Sequence, residues 1–299
     1  MARTRRRVDG ILPLDKPTGM SSNAALQAAR RMFNAEKAGH AGTLDPLASG
    51  LLPVLFGQAA RFSGWLLDSD KCYLASVQLG VTTETADAEG KVLETRPVEV
   101  AIAQIDDALA RFRGEIEQVP PMYSALKRAG RPLYELARKG LTVERAARRI
   151  RIERLDRIAF SGARLEIRVA CSKGTYVRTL AEDIGRVLGC GAHLAGLRRI
   201  AAGSFAIEQA VTLDHLARLD DDARARWLRP VDALLTRLPE MELDPAESRR
   251  FAQGQSLVRA VAEGQDYRVY ARERLFLGVG AGQPGGRLQP RRLVSVQED

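Results

Sequence analysis

The 299-residue chain is 45% hydrophobic and 28% charged, a globular balance that leaves room for about two domains and excludes disordered or collagenous classes. A net charge of +9 at pH 7, with a pI near 9.8, favours a polyanionic partner. No apolar run approaches the ~20 residues of a membrane span, no secretory signal is read at the Arg-rich start, and three widely spaced cysteines point to a reducing cytoplasm.

In chain order, Ser21, Ser22 and Asn23 can cap a helix that carries Leu26, Ala29 and Phe33 on one stripe and ends near Asn34. A glycine-rich loop, Gly39 to Pro46, follows. Lys71 to Val81 alternates as a strand, with Tyr73, Ala75, Val77 and Leu79 on one face. A short helix is expected at 104–112. Leu165, Ile167, Val169 and Cys171 alternate with Arg164, Glu166 and Arg168, the cleanest half-buried strand of the chain. It runs through Ser172–Thr175 into a helix with Val177, Leu180, Ala181, Ile184 and Leu188 on one stripe, for which Gly185 and Gly189 are candidate stops. Another short helix is expected at 212–218, and Leu238-Pro239 is a candidate linker. Beyond it, short runs at Tyr267–Tyr270, Leu275–Val279 and Leu293–Val296, set between glycine-rich turns, suggest a small all-β domain. Strands and helices without regular βαβ alternation indicate an α+β fold.

The positive charge is concentrated. Residues 127–157 carry eleven Lys and Arg against four acids, a net +7, and the first sixteen residues add +3, whereas the chain from 239 onward is neutral. Phosphate neutralisation is the physical use of such clusters, and an RNA or DNA partner is expected from them. A solvated basic surface is the plainer alternative. The remaining chemistry narrows by elimination. His40, His193 and His215 form no H-x-x-x-H pair and no Cys-x-x-Cys occurs, so no zinc site is expected. No phosphate-binding G-x-x-x-x-G-K-[ST] loop or G-x-S-x-G elbow is present. A G-x-G-x-x-G match at Gly280, Gly282 and Gly285 has too little chain after it for a dinucleotide fold and reads as a turn.

What is left is Asp45, one carboxylate in an otherwise apolar loop flanked by Leu44, Leu47, Leu51 and Leu52. Taken alone, Asp45-Pro46 reads first as a helix N-cap followed by its first residue. A carboxylate with few waters around it, kept ionised, would also be a nucleophile or base.

The loop Gly39-His40-x-Gly42-Thr43-Leu44-Asp45-Pro46-x-Ala48-x-Gly50-x-Leu52-Pro53 resembles the catalytic loop of TruB-type pseudouridine synthases. The resemblance extends, in order, through Leu14-Asp15-Lys16-Pro17-x-Gly19-Met20-Ser21-Ser22, Asp70-Lys71-x-Tyr73, Leu79-Gly80 and Thr85-x-Asp87-x-x-Gly90. It continues through Gln118-x-Pro120-Pro121-Met122-Tyr123-Ser124-Ala125-Leu126-Lys127, then Cys171-Ser172-Lys173-Gly174-Thr175-Tyr176-Val177-Arg178-Thr179-Leu180, and ends with His193-Leu194 and Leu197-Arg198-Arg199. These blocks cover roughly residues 10–215.

The resemblance implies a mixed, mostly antiparallel sheet flanked by helices in a catalytic domain over 1–238, with a basic thumb-like insertion at about 124–155, and a PUA-like RNA-binding β-barrel domain over 239–299. It implies isomerisation of a uridine in the tRNA T-loop (position 55), by base flipping and exchange of the C1′–N1 bond for C1′–C5, which needs no cofactor and no metal. Asp45 is implied as the nucleophile. Attack at C1′, addition to the base and help in removing a C2′ proton all remain open to it. Arg178 would pair with Asp45 and keep it charged, and Tyr73 would stack on the uracil. Tyr176 and Leu197 would line the pocket, and His40 would fill the space left by the flipped base. Lys16 and Asp87 match positions near the pocket and are read as support. Lys127, Arg128, Arg131, Arg148 and Arg149 would hold RNA phosphates, which orient the RNA without reading sequence. A monomer acting on tRNA through its T-arm, away from membranes, is expected. Two rival readings are a non-catalytic RNA-binding or RNA-folding protein on the same scaffold, and a glycosylase that would release free uracil.

Overall fold

The protein is described here from a computed structural model covering residues 5–124, 126–128, 130–137 and 139–295. Ten strands form the principal sheet: β1 (Gly10–Lys16), β2 (Ala38–His40), β3 (Ala48–Phe56), β4 (Lys71–Leu79), β5 (Gly114–Gln118), β6 (Arg148–Ser161), β7 (Arg164–Cys171), β8 (Ala192–Ala202), β9 (Phe205–Ala206) and β10 (Val211–Thr212). Their spatial order is β10-β1-β3-β8-β4-β7-β6-β5, with β2 on β3 and β9 on β8. Only β1–β10 and β3–β8 pair in parallel; the other ladders of this sheet are antiparallel.

The best sequence signal maps cleanly. In β7, Leu165, Ile167, Val169 and Cys171 are buried, while Arg164, Glu166 and Arg168 face outward. Burying each of the aliphatic chains contributes about 1.5–3 kcal/mol. Three helices cover the sheet: α1 (Ser22–Met32), α2 (Ile102–Ala110) and α3 (Val177–Val187). Ser21 caps α1 by accepting from the Ala24 amide. The apolar stripe of α3 and Ile105 and Leu109 of α2 pack on β4, β6 and β7, and α1 packs on β1 and β3.

Gly185 does not stop α3. It lies inside the helix because a Cβ there would stand 2.3 Å from the Ala192 amide nitrogen of β8. The helix ends instead before Gly189, whose φ of +79° suits glycine. The expected helices at 104–112 and 212–218 are present with shifted ends, the second as Leu213–Ala217.

The chain leaves the sheet after Gln118 and rejoins it at Arg148. Between them lie a two-residue hairpin, Lys127–Arg128 with Arg131–Pro132, and a one-turn helix, Leu133–Ala137. Beyond residue 239 a five-stranded sheet curls as an open half-barrel. Its strands are β11 (Glu240–Glu242), β12 (Leu257–Val258), β13 (Asp266–Tyr270), β14 (Phe276–Gln283) and β15 (Arg287–Leu293), in the order β11-β13-β14-β15-β12, with α4 (Pro245–Ala252) against it. The G-x-G-x-x-G glycines fall on β14 and its tight turn into β15, as a turn reading requires. The last strand starts earlier than expected, at Arg287; Val296 lies outside the described residues. Among the described residues no helix is long and apolar enough to cross a membrane.

Candidate active site

The loop bearing Asp45 runs from β2 into β3, the strand that meets β8 at the middle of the sheet. Asp45 caps no helix. Its carbonyl accepts from the Ala48 amide, closing a turn through Pro46-Leu47 that leads straight into β3. Side chains and backbone pin this loop from three sides. Ser22 of α1, buried, donates to the Leu44 carbonyl and accepts from the Leu44 amide, both at 2.8 Å. The Gly19 amide donates to the Pro46 carbonyl. Arg199 of β8, only 1% exposed, donates from Nε to the Leu51 carbonyl at 2.7 Å and from Nη2 to the Gly42 carbonyl at 2.9 Å.

Arg178, in the first turn of α3, reaches Asp45 with Nη2–Oδ2 at 3.1 Å, as the sequence resemblance implied. The same guanidinium holds Asp87 through Nη1–Oδ2 at 3.3 Å and donates to the carbonyls of Thr85 and Tyr123. Arg178 and Asp87 are buried (side chains 9% and 4% exposed), but Asp45 is 45% exposed. The expectation of a nearly dry carboxylate is therefore not met by the protein alone. The loop places Asp45 at the lip of the sheet, between two open cavities. One, of about 380 Å³, is lined by Tyr73, Tyr176, Leu197 and Arg199; the other, of about 530 Å³, by His40, Asp87, Glu89 and Tyr123. Asp45 and Arg178 border both. A further cavity of about 520 Å³, lined by Trp65 and Arg291, lies at the junction with the second sheet and does not include Asp45.

Tyr73 and Arg199 are cross-strand partners of β4 and β8, and Leu197 sits one pleat away opposite Ala75. Burial pushes the Tyr73 phenol above its ordinary pKa, with the Arg199 charge acting against that rise. Burial raises the Tyr176 phenol as well. Burial, and then the Arg199 charge, lower the pKa of His40, so its imidazole is neutral near pH 7. Lys16, wholly buried, donates to the carbonyls of Pro17 and Met20; desolvation lowers its pKa to about 8, opposed by the negative charge of Asp45.

The structure thus brings Asp45, Arg178, Tyr73, Tyr176 and Leu197 around one cavity and His40 around its neighbour. Arg148 and Arg149 open β6, exposed on the sheet edge beside β5, and Arg131 is exposed in the hairpin. The side chains of Lys127 and Arg128 lie outside the described residues. Arg199 was missed as a site residue: it stands inside a motif block, but nothing in the sequence distinguishes a buried arginine from a surface one. Asp87, read as support, shares the guanidinium of Arg178 directly.

The fold is shared with chains of solved multi-protein complexes. One chain of an H/ACA ribonucleoprotein bound to a substrate RNA containing 2′-deoxyuridine aligns with a TM-score of 0.74 at 23% identity, covering 96% of this chain and 85% of that one. A chain of a Cbf5-Nop10-Gar1 complex aligns with a TM-score of 0.73 at 25% identity, over 97% and 84%. Residues 30–177 match the model of the TruB family pseudouridylate synthase N-terminal domain, 178–236 that of the tRNA pseudouridylate synthase B C-terminal domain, and 239–294 that of the pseudouridine synthase II TruB C-terminal region. Proteins called tRNA pseudouridine synthase B are 55% identical in Azoarcus sp. (strain BH72), over 98% of this chain and 97% of that protein, and 56% identical in Burkholderia lata, over 97% and 91%. The chain belongs to the TruB family of pseudouridine synthases, and is an isomerase.

Proposed function

We propose that the protein converts a uridine of the tRNA T-loop, position 55, to pseudouridine, with Asp45 as the catalytic carboxylate. The observation that carries this reading is the Asp45–Arg178 pair at 3.1 Å, standing where a cavity with Tyr73, Tyr176 and Leu197 in its wall opens to solvent. The target base must leave its stack, at a cost of a few kcal/mol. Tyr73, Tyr176 and Leu197 offer it an apolar, aromatic slot, and His40, neutral and beside the second cavity, is placed to occupy the gap in the RNA. Arg178 pairs with Asp45 and orients its carboxyl group. The flipped nucleotide supplies the closure that the exposed Asp45 lacks, since seating it in the slot displaces the water now around the acid. The C1′–N1 bond breaks, the base turns, and C5 joins C1′ as its proton leaves; N1 takes up a proton in its place, so product and substrate have the same composition and no cofactor or metal is called for.

Residues 1–238 act as the catalytic domain and 239–299 as an RNA-binding module, with the off-sheet excursion after Gln118 closing on the T-arm and Arg131, Arg148 and Arg149 holding phosphates. The protein works as a monomer, in the cytoplasm with its tRNA. Incubation with unmodified tRNA tritiated at uridine C5 should release label stoichiometrically with product. Asp45→Asn should bind the same tRNA with affinity within a few-fold of wild type and release none. Turnover by that variant would remove Asp45 from the chemistry, and free uracil among the products would mark a glycosylase instead.

A further inference from the structure

Gln118 is the last residue of β5, at the point where the chain leaves the sheet, and its side chain is 3% exposed. It faces no solvent and joins no side-chain network. Both ends of its amide are instead taken by one residue: Nε2 donates to the Tyr176 carbonyl at 3.1 Å, and Oε1 accepts from the Tyr176 amide at 2.8 Å. Tyr176 follows the Ser172–Thr175 turn, where β7 has ended and α3 has not begun, so no ladder or helix partner fixes its amide. The side chain of Gln118 takes the place of a neighbouring strand. What it holds is the N-cap residue of α3, whose ring lines the cavity beside Asp45 and whose second successor is Arg178.

We infer that Gln118 is a positioning residue for the isomerisation, acting through Tyr176 to set the aromatic wall of the base slot and the guanidinium that orients Asp45. This rests on the active-site reading above. A buried amide with two satisfied bonds permits one backbone placement, whereas an apolar side chain of similar volume would take away the partner of the Tyr176 amide and leave its carbonyl with the Leu180 amide alone. Arg148, assigned above to RNA phosphates, is the ladder partner of Gln118 through backbone alone; a change confined to the Gln118 side chain leaves that pairing in place, so the two effects separate. Loss of Gln118 should disturb the geometry reached after binding, and small displacements of reacting groups cost large factors in rate.

The test uses the full chain and C5-tritiated tRNA. Gln118→Met should lower the single-turnover rate at saturating enzyme by about 10- to 100-fold, with the Kd for tRNA within about threefold of wild type. A merely structural role would move rate and affinity together or neither. The second measurement is a cycle with Arg178→Lys, which displaces the same guanidinium. In that background Gln118→Met should cost less than about threefold, because residues acting as a unit are not additive. Equal single-turnover rates for wild type and Gln118→Met, or full additivity with Arg178→Lys, would overturn the inference while leaving the Asp45 assignment intact. No tritium release by the wild type would instead overturn the active-site reading beneath it. If Gln118→Met does not fold, Gln118→Glu, which keeps the acceptor for the Tyr176 amide and loses the donor, replaces it in both arms with the same criteria.

Discussion

Three cationic side chains surround the Asp45 loop. Arg178 is paired with two carboxylates, whereas Arg199 and Lys16 each donate to two backbone carbonyls. At Lys16 the cost of taking the ammonium out of water outweighs the attraction of Asp45 and lowers the pKa. For Lys16 the consequence is measurable. The folded side chain gives up its proton near pH 8, while the unfolded one holds it to about pH 10.5. Between these values the unfolded state binds more protons, so this group makes folding more favourable as pH rises. The stability of wild type minus that of Lys16→Met, from urea unfolding, should therefore increase from pH 8 towards 10. A difference that stays flat over that interval would mean that Lys16 carries no burial cost.

At the scale of elements, the loop is held by the approach of β3 to β8. Gly50 has φ of +99°, and a Cβ on it would stand 2.3 Å from the Arg199 carbonyl oxygen and 2.8 Å from its amide nitrogen. Neither atom can yield without opening the β3–β8 ladder that seats Arg199 under the loop. Gly50→Ala should therefore cost about 2–4 kcal/mol in chemical denaturation, by strain and overpacking together. It should also lower turnover beyond the loss of folded protein, since Arg199 is bonded to both sides of Asp45 in sequence. A variant as stable and active as wild type would show that the strands separate easily there.

For the whole molecule, the second sheet has a small core of its own around Phe251, Val269 and Leu288 and shares another with the first sheet. Val279 and Phe276 of β14 join Ile11, Leu51, Leu55 and Phe62 beneath β1 and β3, with the Phe62 and Phe276 rings 5.6 Å apart. Tyr270 donates to Asp232 across the same junction. The C-terminal module thus covers the underside of the strands that carry the Asp45 loop. A fragment ending at residue 238 would expose this face, and its Tm should fall by several degrees or more relative to the full chain, as about 1–3 kcal/mol per uncovered large apolar side chain dictates. An unchanged Tm would mean that the contact adds nothing to stability.

Much of this was legible in the amino-acid order. The period-two run 164–171 and the stripe of α3 follow from one buried face each, and the ordered motif blocks named Asp45, Tyr73, Tyr176, Arg178 and Leu197 together, because local chemistry leaves a local pattern. The fates of Asp45-Pro46 and Gly185 were not legible. A turn that enters a strand, and a glycine needed for close helix–strand approach, look in sequence like a helix cap and a helix stop. The roles of Arg199 and Gln118 were beyond reach for another reason. Their partners are backbone carbonyls and an amide far along the chain, and backbone groups, being identical at almost every residue, write nothing into the sequence about who will bond them.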